Sequence, residues 1–92
     1  MADDLGSVIK AWLRENGLEA KFREQSVPDY WIDIVGENLA RHATVERIAH
    51  GRMVIRTESA TWKQEILSRR EDIRRRVNER LEAEVVTEIF VI

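Results

Sequence analysis

The chain has no cysteine. That absence removes disulfide staples, thiolate metal sites and cysteine nucleophiles together, and leaves stability to packing. It has one proline, and its four glycines stand far apart at positions 6, 17, 36 and 51, so no glycine-rich loop is available to cradle a phosphate. No run of about 18 apolar residues occurs, and Asp3, Asp4, Lys10, Arg14 and Glu15 interrupt the N-terminal region. Neither a spanning helix nor a secretory signal is expected, and the protein reads as cytoplasmic. Only two histidines are present, His42 and His50, and no serine or carboxylate stands around them at a catalytic or metal-binding spacing. An enzyme, a cofactor and a bound metal are therefore not expected. Charge of one sign is lacking too: 15 basic against 17 acidic residues give a net −2, an unpromising total for a protein that holds nucleic acid mainly by neutralising phosphate. Residues 1–58 carry 8 basic and 10 acidic side chains and residues 59–92 carry 7 of each. Any positive surface must be a local stripe.

What is present is enough apolar sequence, 43% of 92 residues, for one compact domain over residues 1–92. From Asp3 to Asn16, residues Leu5, Val8, Ile9, Trp12 and Leu13 recur at the spacing of one buried helical face. Asp3 and Asp4 suit its start and Gly17 its left-handed stop. A short second helix carries Leu18 and Phe22. Ser26 and Pro28 then predict a new helix start, with Trp31, Ile34, Val35 and Leu39 inward and an end near His42 or Ala43. Gly36 lies inside this helix, where glycine costs about 1 kcal/mol relative to alanine. A packing role is expected for it, letting the sheet or the long helix come close.

Beyond Ala43 the period falls to near two. Val45, Arg47 and Ala49 alternate with Glu46 and Ile48, then "HG" marks a turn, and Met53, Ile55 and Thr57 alternate with Val54 and Arg56. Residues 44–58 read as a β-hairpin whose glycine supplies a positive φ. Ser59 caps a long helix over roughly 60–82, with Trp62, Ile66, Ile73, Val77 and Leu81 as its apolar stripe. The closing "VVTEIFVI", rich in β-branched residues, reads as a buried strand. The long helix is then a right-handed crossover. An α+β layer results, a small three-stranded sheet with helices on one face. Ile92 is the last residue, so nothing is expected to extend from the domain.

The strongest charged feature is "SRREDIRRRVNER". On a helical wheel, Arg69, Arg76 and Arg80 flank one side of the apolar stripe, while Lys63, Arg70 and Arg74 flank the other. One reading is a solvated face: Glu65 with Arg69, Glu71 with Arg75 and Asp72 with Arg76 stand at i, i+4, each pair worth about 0.2–0.5 kcal/mol. The other reading is that Lys63, Arg69, Arg70, Arg74 and Arg76 contact phosphates or an acidic partner, with modest, salt-dependent binding. Trp12, Trp31 and Trp62 all sit on apolar stripes, which makes core packing rather than base stacking their expected role.

Taken together, Trp31, "IVG", "LARHA", the hairpin stretch "GRMVIRTESATW", the helix opening "WKQEIL" and the closing "VVTEIFVI" resemble the DciA family of bacterial replicative-helicase loaders, long catalogued as a domain of unknown function. The resemblance covers roughly residues 5–92, with Trp31, Gly36, His42, Gly51, Ser59 and Trp62 where the family pattern has them. It implies a KH-like α+β domain, DNA replication as the process, the hexameric replicative helicase as a partner, and single-stranded or forked DNA as a ligand. It implies nothing enzymatic. Longer members carry a flexible extension, so this chain reads as a short single-domain form. No GxxG loop is present, so the backbone clamp of ordinary KH domains is not assigned here, and Pro28 is expected to break a helix that is more continuous in relatives. The resemblance thus implies a recruiting module that binds DNA weakly and docks on the helicase. A protein-interaction or dimerisation domain without nucleic-acid affinity, pairing through the "VVTEIFVI" edge or a helical face, is the alternative. RNA binding through the sheet face, open to any KH-like fold, is a third reading without local support in the sequence.

Overall fold

The computed structural model of the chain describes residues 4–92. Its first helix, α1, runs Leu5–Glu15. It starts there because the Asp4 carboxylate accepts the Ser7 N–H at 2.7 Å, satisfying a donor that no helical carbonyl can reach. The Ser7 hydrogen bonds lower the Asp4 pKa from its ordinary value because they stabilise the ionised carboxylate. Asp3, also expected at this start, lies outside the described residues. At the far end Gly17 adopts φ 69°, the left-handed stop expected of it.

The buried face expected on α1 is not buried. Leu5, Val8, Ile9 and Trp12 are 74, 53, 43 and 53% exposed, and within the stripe only Leu13 is covered. Periodicity reports which residues share a face, not whether another element lies over it, and α1 stands away from the body. The molecule is elongated, 51 by 24 by 18 Å, with a radius of gyration of 14.8 Å, where a compact chain of this length has about 12 Å.

Helix α2 runs Glu19–Val35 without interruption, so the break expected at Ser26 and Pro28 is absent. Pro28 removes one backbone donor and crowds the preceding turn at a cost of about 3 kcal/mol. Val27, Trp31 and Ile34 are nonetheless all buried, and apolar side chains gain about 1.5–3 kcal/mol each on full burial, which outweighs the proline. Ser26 does not cap; its hydroxyl donates to the Arg23 carbonyl at 2.8 Å. The break comes at Gly36, with φ 93° and ψ 158°, before the short helix α3, Glu37–His42. Those angles are essentially closed to any residue with a Cβ. A Cβ placed on Gly36 would meet nothing within 4 Å, so this glycine turns the chain and does not admit a neighbour, contrary to the packing role expected. Trp31 Nε1 then donates to the Ala43 carbonyl at 2.8 Å, fixing the turned chain where the sheet begins.

The sheet contains β1, Ala43–Ala49, β2, Arg52–Thr57, and β3, Glu88–Val91. Their order is β1-β2-β3, with β1 antiparallel and β3 parallel to the central β2. His50 and Gly51 join β1 to β2 with φ 54° and 80°, the pair of positive angles of a type I′ hairpin turn. The Gly51 carbonyl also accepts the N–H groups of Thr87 at 2.8 Å and Glu88 at 3.1 Å. A Cβ on Gly51 would lie 2.7 Å from Thr87 Oγ1, so here the glycine serves both the turn and a close approach. In β2 the expected alternation holds, with Met53 and Ile55 fully buried. In β1 it fails, because the pairing slips between Val45 and Arg47. The bulge turns Val45 and Ile48 to the core side and leaves both Glu46 and Arg47 exposed.

The single helix expected over 60–82 is two, α4, Ala60–Ser68, and α5, Arg70–Leu81, hinged at Arg69 with φ −108° and ψ 11°. The Ser68 hydroxyl donates to the Glu65 carbonyl at 2.7 Å just before the hinge, a bond that Ser26 also makes inside the unbroken α2 and that does not by itself account for the bend. Ser59 caps α4 as expected, accepting the Trp62 N–H at 3.3 Å. Ile66, Ile73, Val77 and Leu81 face the core with Val27, Trp31, Ile34, Val86 and Ile89. The architecture is the α+β layer expected, helices on one face of a small mixed sheet. One buried polar side chain, Asn78, sits in this core. It accepts the N–H groups of Val85 at 2.9 Å and Val86 at 2.8 Å and donates to the Val86 carbonyl at 2.9 Å.

Two substitutions test these assignments by urea unfolding. Gly36→Ala and Gly36→Leu should each lose about 1–3 kcal/mol, and by nearly the same amount, because the cost is backbone strain. A loss that grows with side-chain size would restore the packing role. Asn78→Ala should lose about 3 kcal/mol, since it strands buried donors and an acceptor, and an unchanged midpoint would contradict the role given to this amide.

Candidate nucleic-acid interface

The five basic residues expected to contact phosphate do not converge: Arg76 and Arg74 lie on the opposite flanks that the helical wheel gave them, and the hinge at Arg69 and their partners divide the set further. Arg76 turns toward α2, where Nη1 donates to the Ile34 carbonyl at 3.2 Å and Nε stands 3.0 Å from Asp72. Arg80 lies on that side too, 4.3 Å over the Tyr30 ring and 3.5 Å from Asp33. Arg74 turns the opposite way, between Glu71 at 3.0 Å and Glu84 at 3.1 Å. The Glu71 carboxylate first, then Glu84, raises its pKa above the usual arginine value, and as an arginine it is charged throughout, linking α5 to the loop before β3. Arg69 pairs with Glu65 as expected. Glu71 does not pair with Arg75, which joins Asp72 and Glu79 instead. Lys63 and Arg70 form no ion pair among the described residues. Arg70 and Arg74 share a shallow hollow with Thr87 and Phe90, while Arg69 and Arg76 lie elsewhere, so the structure groups these residues in parts.

A second surface comes from the sheet. Because the helices cover one face only, the other is open to solvent. The strand expected to be buried is buried on one side alone: Ile89 and Val91 point inward, while Phe90 and Ile92 are 46 and 48% exposed. The register places Arg47 opposite Val54 and Val54 opposite Phe90, one row across all three strands. Arg52 and Arg56 stand on either side of Val54 along β2, and these residues with His50 and Ile92 line a shallow concavity. Arg52 lies 6.0 Å over the Phe90 ring and 3.7 Å from Glu88. Arg56 is held by Glu46 at 2.6 and 3.2 Å. Arg47 has no ion-pair partner among the described residues. Arg52, Val54 and Arg56 carry a period-two signal in the sequence, but grouping them with Arg47 needs the bulge, and with Phe90 the strand order.

The histidines serve connections. His42 Nδ1 is 2.5 Å from Glu58 Oε1, and its ring stacks on Trp62 with centroids 4.5 Å apart at 12°, joining the end of α3 to the start of α4. Trp31 is buried and Trp62 packs at the core edge, as expected, whereas Trp12 is exposed. Among the described residues no three metal-ligating side chains converge, and no helix is long and apolar enough to cross a membrane.

The family model described as "Dna[CI] antecedent, DciA" matches residues 4–91. A protein of Corynebacterium glutamicum named UPF0232 protein is 25% identical over 90 residues, 98% of this chain and 51% of that one. A UPF0232 protein of Mycolicibacterium smegmatis is 33% identical over 58 residues, 63% of this chain and 30% of its own length. The chain thus spans about half, or less, of the length of these relatives.

The partners found for each arginine separate structural from free cations. Arg74→Glu faces Glu71 and Glu84 with a like charge and should lower the urea midpoint, whereas Arg70→Glu should leave it unchanged. Equal effects would show that the ion pairs of Arg74 do not hold the loop.

Proposed function

This chain belongs to the DciA family, and from that premise we propose that it is a non-catalytic accessory module of DNA replication that docks on the replicative helicase and holds DNA weakly. The observation that carries the docking is the uncovered stripe of α1. Leu5, Val8, Ile9 and Trp12 stand at i, i+3, i+4 and i+7, the anchor pattern by which an amphipathic helix enters an apolar groove. Soluble monomers rarely expose contiguous apolar patches beyond a few hundred Å² without an interaction to serve. Tryptophan is also among the residues that concentrate binding energy at interfaces.

For DNA the near balance of charge leaves local contacts only. Lys63 and Arg70 are free of carboxylate partners among the described residues, Arg69 reaches a phosphate by exchanging Glu65, and Arg74 and Arg76, which also hold the loop before β3 and the Ile34 carbonyl, add their charge from those positions. Exposed ion pairs are worth about 0–1 kcal/mol, so the exchange is feasible, and the resulting affinity is modest and falls with salt. The exposed α1 stripe equally favours a second reading, an interaction domain without nucleic-acid affinity, and a DNA titration at low salt separates the two.

The docking is tested with the purified cognate helicase immobilised on a sensor. Wild type should bind, and Ile9→Glu and Trp12→Ala should each lose about 2 kcal/mol or more of affinity with unchanged circular dichroism. Failure of wild type to bind, or full binding by both variants, would contradict the docking assigned to α1.

A further inference from the structure

We infer that the open face of the sheet is a platform for a single-stranded polynucleotide, with Phe90 as the surface on which a base stacks and Arg47, Arg52 and Arg56 as phosphate contacts. The register carries this. Arg47, Val54 and Phe90 form one row across the three strands, and Arg52 and Arg56 lie about 13 Å apart along β2, one on each side of that row. An exposed aromatic ring within a basic concavity is the arrangement by which single strands are held without sequence readout. Every base has a π-face to stack, and the backbone follows the positive charge.

A protein partner fits this face less well. The cores of protein interfaces are depleted of charged residues, whereas here three arginines surround the small apolar strip of Val54, Phe90 and Ile92. A duplex fits less well too, since its bases present no free face to Phe90. The carboxylates on this surface, Glu46 with Arg56 and Glu88 with Arg52, are exposed partners that a phosphate can displace. Arg47, turned outward by the bulge, needs no exchange. The inference rests on the reading that the chain handles nucleic acid, but it assigns a surface separate from the α1 stripe and from Lys63 and Arg69.

The test is fluorescence anisotropy with labelled oligothymidine and oligouridine of about 12 nucleotides and a duplex of equal length, at low and high salt. Both strands are included because deoxyribose and ribose backbones present the same phosphates and base faces, and the tighter of the two identifies the source. Wild type should prefer a single strand to the duplex, with a salt slope of about −2 for three phosphate contacts. Phe90→Ala should weaken binding roughly ten-fold while Phe90→Tyr retains it. Arg47→Glu should weaken binding and flatten the salt slope, and Lys21→Glu, a charge reversal on α2, should change neither. Circular dichroism and urea midpoints confirm that each variant is folded. Binding that ignores Phe90 and Arg47 but falls with Lys63→Glu and Arg69→Glu would overturn this site and leave the DNA reading standing. No binding by wild type at low salt would overturn both, and the helicase measurement would be unaffected.

Discussion

The side-chain amide of Asn78 is the interaction on which the arrangement of surfaces depends. It is the one polar side chain buried in the core among the described residues, and it satisfies three backbone groups of Val85 and Val86. Unpaired, those groups would oppose burial of the chain between α5 and β3. Paired, they set the path along which Val86 enters the core and Thr87 reaches the hairpin tip at Gly51. β3 then lies parallel to β2, and strand alternation does the rest: Ile89 and Val91 point in, Phe90 and Ile92 point out. A buried amide thus determines which aromatic ring stands on the open face.

The two informative glycines act differently. At Gly51 the backbone angle and the nearness of Thr87 both exclude a side chain. At Gly36 only the angle does, and its effect is to redirect the helix so that Trp31 can anchor Ala43. Around these points the helical layer is attached by a few specific contacts: the Trp31 indole, the His42 stack on Trp62, and the Arg76 guanidinium on the Ile34 carbonyl. Helix α1 contributes little to this body beyond Leu13. Its stripe is therefore available for contacts made outside the fold.

Much of the fold was legible in the sequence because its signals are local. The Ser59 cap, the "HG" turn, the Gly17 stop and the inward face of β2 follow from residue type and spacing. The misses arose where tertiary context decides. Pro28 reads as a boundary, yet the burial of Val27, Trp31 and Ile34 carries the helix through it. The bulge shows in the sequence only as two charged residues, Glu46 and Arg47, between Val45 and Ile48, which a strict period-two reading passes over, and the hinge at Arg69 has no glycine or proline to announce it. The α1 stripe has correct periodicity and no covering element. For the candidate site, the helical wheel already set Arg76 and Arg80 on one flank and Arg70 and Arg74 on the other, but that these flanks meet α2 and the chain before β3 depends on tertiary packing. The row from Arg47 to Phe90 joins residues 43 positions apart through strand pairing, which no single stretch encodes.

The structure therefore presents three chemically distinct surfaces: an apolar helical arm, a partly neutralised arginine helix, and an open sheet face that combines an aromatic ring with arginines. The central claim is that the last of these is where a single strand lies. Amide chemical shifts of the 15N-labelled protein, followed during titration with oligothymidine at low salt, test it most directly. The account predicts perturbations centred on Arg47, Arg52, Val54, Arg56 and Phe90. Perturbations confined to α4 and α5, with the sheet amides unmoved, would contradict it.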